Sequence, residues 1–80
     1  MRMNNQEIIE QVKEDYEVVL EEFVVYDTPQ ELFECEKANG NLSEYTIETN
    51  GRELGEEENA FEVKGKWIYA PKWYDAEWDD

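Results

Sequence analysis

Twenty-two Asp and Glu residues against seven Lys and Arg give this 80-residue chain a formal net charge of −15. That imbalance limits what the chain can fold into more than any other feature. Like charges repel through a compact state. A chain this short buries only about 60% of the surface its unfolded form exposes, so little stability is left to oppose the repulsion. High charge with modest hydrophobicity is also the signature of disorder. Against that stand 40% hydrophobic and 14% aromatic residues, among them Trp67, Trp73 and Trp78, enough for a small core. The expectation is one folded domain over residues 1–80 that gains stability as salt screens its charges.

The same composition excludes several functions. Cys35 is the only cysteine, so no disulfide can form within the chain, as suits a reducing, cytoplasmic setting. Residues 1–5 lack the apolar stretch of a signal peptide, and no run nears the ~18 apolar residues that span a bilayer. Anionic membranes would repel the chain, and so would the phosphates of DNA or RNA. Catalysis is not expected. There is no His, and Ser43, the lone serine, has no evident base beside it. With 22 acids, paired carboxylates are unavoidable and carry no signal of their own. Asp75, Glu77 and Asp79 alternate like the start of a calcium loop, but the glycine and distal Glu of an EF-hand are missing. No metal and no cofactor are expected, and Cys35 reads as a packing residue.

Periodicity supplies the elements. Ile8, Ile9, Val12, Tyr16, Val19, Leu20 and Phe23 recur at helical spacing, with Asn5 as N-cap and Glu7 in the first turn. We read one helix to about Glu22. The competing reading breaks it near Asp15 and makes Val18 to Tyr26 a strand, as Val18, Val19, Val24 and Val25 favour. Neither parity set alternates cleanly there. Thr28-Pro29-Gln30-Glu31 starts a second helix, which Lys37 and Asn39-Gly40 close at Ala38. Leu32 and Phe33 would pack it, with Cys35 or Glu36 beside them.

From Leu42 the period becomes two. Tyr45, Ile47 and Thr49 form one face of an expected strand, Asn50-Gly51 a type I′ turn, and Arg52 to Leu54 a short return. A second hairpin joins Ala60–Val63 to Trp67–Ala70 through Lys64-Gly65-Lys66. That three-residue loop would put Phe61, Val63, Trp67 and Tyr69 on one face, with Pro71 ending the strand. Residues 72–80 read as an acidic and aromatic tail. The expected class is α+β, two N-terminal helices followed by a three- to four-stranded antiparallel sheet.

Three acidic surfaces are candidates for binding a partner. Glu7, Glu10, Glu14, Glu17 and Glu21 follow one another at steps of three and four, and Lys13 follows none of them at i+4. On a helix such a row rises about 4.5–6 Å per step. It could occupy Lys and Arg side chains that otherwise grip phosphates spaced ~3.4 Å along a strand. Glu56-Glu57-Glu58 forms a second cluster, and neither Glu14–Glu36 nor Glu53–Val63 contains a Lys or Arg. In the tail, Trp73, Trp78 and Asp79 pair aromatic anchors with acids. The bland alternatives are solvated helix faces and a tail that covers the sheet.

In length, charge, lack of His and acidic rows such as Glu7–Glu21 and Glu56–Glu58, the chain resembles the small acidic proteins by which bacteriophages inhibit host defence or repair enzymes. These include anti-CRISPR, anti-restriction and uracil-DNA glycosylase inhibitor proteins. The resemblance covers the whole chain by composition and involves no motif, so it transfers no functional residue. It implies a cytoplasmic, non-enzymatic inhibitor that imitates nucleic acid and blocks the basic groove of a nuclease or CRISPR effector. An acidic immunity protein or antitoxin that neutralises a basic toxin is the alternative. An adaptor module that docks through its tail, and a halophilic adaptation, are weaker accounts of the same charge.

Overall fold

The computed structural model describes residues 4–76. Within them, helix α1 spans Asn5–Tyr16, strand β1 Val18–Tyr26, helix α2 Pro29–Ala38 and the short helix α3 Glu44–Glu48. A 3-10 turn, Leu54–Glu56, then leads into strands β2 (Ala60–Val63) and β3 (Lys66–Asp75). The three strands form one antiparallel sheet in the order β1-β3-β2. The fold is therefore α+β around a three-stranded antiparallel sheet, as expected, although β1 comes from a segment read as helix.

Asn4, one residue earlier than expected, caps α1. Its side chain accepts from the Glu7 amide at 2.8 Å, and the Glu7 carboxylate accepts from the Asn4 amide at 3.1 Å. The helix then stops at Tyr16, because Glu17 turns left-handed with φ 59°. One residue thus reverses the chain, so α1 lies back on the strand that follows it.

β1 hides its identity from the sequence because its register shifts on either side of Glu22. Before the bulge the even positions Val18 and Leu20 face α1; after it the odd positions Phe23 and Val25 do. A bulge inserts one residue out of phase, which is why neither parity set alternates.

α2 follows the expected bounds. Thr28 caps it, and Leu32, Phe33 and Glu36 are buried, whereas Cys35 is exposed and does not pack. The helix ends in a Schellman motif, Gly40 N–H to Lys37 O and Asn41 N–H to Glu36 O, with Gly40 at φ 75°.

The expected hairpin over Leu42 to Leu54 is absent. Ser43 caps α3 instead, accepting from the Thr46 amide. Asn50 and Gly51 do adopt positive φ, 60° and 81°, but they end a helix. Asn50 N–H bonds Ile47 O and Gly51 N–H bonds Thr46 O, a second Schellman motif. Gly51 also lies so close to Phe33 that a Cβ there would meet the ring at 3.0 Å.

The β2–β3 turn has two residues, Lys64-Gly65, both at positive φ, and Val63 pairs with Lys66. One residue fewer than expected flips the return strand. Phe61 and Val63 therefore share the α1 face with Ile68 and Ala70, not with Trp67 and Tyr69. Pro71 does not end β3. Its missing N–H is tolerated because β2 pairs no further than Tyr69, and the β1 register shift lies opposite. Lys72 to Asp75, assigned to the tail, belong to the strand.

Two hydrophobic layers result. Ile8 and Val12 of α1 pack with Val18, Leu20, Phe61, Val63, Ile68 and Ala70. On the other face Leu32, Phe33, Leu42 and Leu54 pack with Ala60 and Tyr69, and Tyr26, Ile47 and Trp67 close the edge.

Candidate partner-binding groove

β3 is longer than β2, and the consequence is local. From Pro71 to Asp75 it pairs with β1 alone. The last link toward β2 is the bond from the Ala70 amide to Asn59 O at 2.8 Å. A groove of about 520 Å³ opens at this step, between β1, the segment leading into β2 and the projecting half of β3. Glu21 and Glu58 stand on its walls, with Asn59, Lys72, Trp73 and Tyr74.

Trp73 belongs to the core and to the groove together. Its ring meets Phe61 edge to face at 5.8 Å, and Phe61 meets Tyr16 the same way at 5.1 Å. Its indole N–H donates to Asn59 Oδ1 at 2.8 Å, which fixes the ring. Tyr16 completes the row by donating to the Glu62 carbonyl and accepting from the Glu62 amide. The Trp73 wall of the groove is thus held from behind. Tyr74 is 40% exposed. Lys72 lies 3.9 Å from Glu22 Oε2, and both side chains are largely in solvent, so the pair holds weakly.

The structure sorts the expected binding residues into different settings. Glu21, Glu58 and Trp73 come together at the groove. The five-residue helical row does not exist, because α1 ends at Tyr16. Glu7, Glu10 and Glu14 lie on the helix, Glu17 occupies the left-handed link and Glu21 stands on β1. Glu7 is engaged by the capping box, and Glu10 accepts from Gln6 Nε2 at 3.0 Å. Glu56 is exposed on the 3-10 turn. Trp78 and Asp79 lie outside the described residues.

Glu57 departs most from its expected role. Its Oε2 accepts from the Ser43 amide at 3.2 Å, the Ser43 hydroxyl at 3.0 Å and the Thr46 hydroxyl. Thr46 is fully buried, so the carboxylate is a structural acceptor at the start of α3 rather than a free surface charge. Glu36 is its counterpart on α2. Only 4% exposed, it accepts from the Tyr26 hydroxyl and from Asn41 Nδ2 at 2.7 Å. Burial and the Glu36 carboxylate raise the Tyr26 hydroxyl well above the ordinary tyrosine range.

Sequence reasoning passed over Asn59 and took Lys72 as local charge balance, yet both line the groove. Neither carries a pattern; each matters only because β3 outruns β2. Among the described residues no three Cys, Asp or Glu side chains converge as a metal site, and no helix is long and apolar enough to cross a membrane. No family model, curated protein or solved structure matches this chain.

Proposed function

We propose that the protein is a non-enzymatic inhibitor that imitates nucleic acid and occupies the basic nucleic-acid-binding groove of a host defence nuclease or CRISPR effector. The observation that carries this reading is the groove itself. It joins carboxylates from two separate segments, Glu21 and Glu58, to the Trp73 ring, which the core already fixes. Charge steers the encounter and aromatic area holds the complex. α1 adds a second acidic surface. Glu10 and Glu14 are exposed and four residues apart, about 6 Å of rise, close to two phosphate steps along a strand at ~3.4 Å each. Glu17 supports the reading from another direction. It holds an acid in a left-handed conformation that glycine would adopt with less strain.

The test is competition. The purified protein is added to a panel of restriction nucleases and CRISPR effectors with labelled nucleic acid. Displacement of nucleic acid from at least one member is expected, competitive in form and several-fold weaker at high salt than at low salt. Inhibition that ignores salt, or that leaves nucleic acid bound, overturns the proposal.

A further inference from the structure

We infer that the groove at the free half of β3 is a docking site for a single arginine side chain of a basic partner. The inference rests on the reading of the protein as a binder of basic surfaces, and it names the chemistry of that contact. Two carboxylates, Glu21 and Glu58, face one space, and Trp73 and Tyr74 supply rings beside them. A guanidinium satisfies both kinds of wall. Its fork donates to carboxylates, and its flat face stacks on aromatic rings. A lysine ammonium matches the charge but neither the fork nor the stacking geometry. The backbone does not collapse onto the space, because β2 begins only at Ala60 and Asn59 anchors the Trp73 indole. Lys72 is the one cation on the walls, and its weak tie to Glu22 leaves it opposing an incoming arginine.

Two capped peptides, Gly-Ser-Arg-Ser-Gly and its lysine counterpart, test the site by amide and indole NMR titration of the full chain. The arginine peptide should shift the Trp73 indole, the Asn59 side-chain amide and Tyr74, and bind at least about threefold more tightly than the lysine peptide. Glu21→Gln together with Glu58→Gln should weaken it roughly tenfold. Lys72→Ala should strengthen it about twofold. Glu48→Gln with Glu53→Gln, exposed acids away from the groove, should leave it unchanged. Equal binding of the two peptides, shifts confined to α1, or full binding by the Glu21 and Glu58 double variant would overturn the inference. The two readings fail separately. Arginine docking by a protein that displaces no nucleic acid would sink the inhibitor reading and keep this site. Inhibition untouched by the double variant would sink this site and keep the inhibitor reading.

Discussion

The two faces of the sheet are held by different chemistry. On the α1 face, Ile8 and Val12 meet Val18, Leu20, Val63 and Ile68, and the packing is hydrocarbon and aromatic. The opposite face adds two carboxylates to its apolar contacts. Glu36 ties β1 to α2 and the Asn41 turn, while Glu57 ties the segment before β2 to α3. Their donors are hydroxyls and amides, none of them cationic. Six of the seven basic residues fall within the described segment, and only Lys66–Asp27, at 2.7 Å, is a close ion pair there. An acid-rich chain with few cations can still bury carboxylates if neutral donors surround them. Net charge therefore overstates the acid free to meet a partner, and neighbours such as Glu57 and Glu58 have opposite roles.

The contrast breaks most visibly in the apolar layers. Leu32→Ala removes a fully buried side chain from the α2 face and should cost ~2–5 kcal/mol, with Val12→Ala on the α1 face at the low end of that range. Urea midpoints read both. If Val12→Ala were the more damaging, the α1 layer would be the dominant one.

Glu57→Ala should cost ~2–3 kcal/mol, because it strips the buried Thr46 hydroxyl and the Ser43 donors of their acceptor. Glu58→Ala, one residue on, should stay within about 0.5 kcal/mol of the parent. Equal losses in the same urea series would show that the acidic cluster acts as a unit.

Tyr26 sharpens the comparison through pH. Its hydroxyl is raised in the folded chain, so the folded state favours the neutral phenol. That contribution is fully present below the ordinary tyrosine value of about 10 and fades as pH climbs through the raised folded value. The parent should thus lose stability above about pH 10 relative to Tyr26→Phe, while one of the five tyrosines ionises late in an ultraviolet titration. Matching alkaline curves for parent and variant would remove the role assigned to the Glu36 contact.

The smallest effect is expected at the α1–β1 link. Glu17→Gly relieves a left-handed residue and should raise stability by up to ~1 kcal/mol, less the added freedom of the unfolded chain. A loss of stability would mean that the Glu17 side chain contributes to holding the reversal.

Half of the groove was legible in the chain. Glu21, Glu58 and Trp73 stood out by charge and ring, yet nothing local said that they would meet. Asn50-Gly51 illustrates the limit. A left-handed pair announces that the chain reverses, but it serves a type I′ hairpin and a Schellman helix end alike. The choice lay with Ser43, Thr46 and Glu57, which meet across 11 to 14 residues. The run Trp67-Ile68-Tyr69-Ala70 carried a signal that alternation obscured. A strand apolar at every position is covered on both faces, as β3 is.

The residues alone determined the local events: where α2 starts and stops, where the chain turns at Asn50 and Lys64, and that the class is α+β with a surplus of surface acid. Capping, left-handed turn residues and charge act over a few positions, so sequence encodes them directly. Strand phase through the β1 bulge, the face each side of β3 presents, the engagement of Glu36 and Glu57, and the gap beyond β2 emerged only in the assembled molecule. Each depends on which distant segment lies alongside, and a one-residue shift in that pairing moves every side chain to the other face.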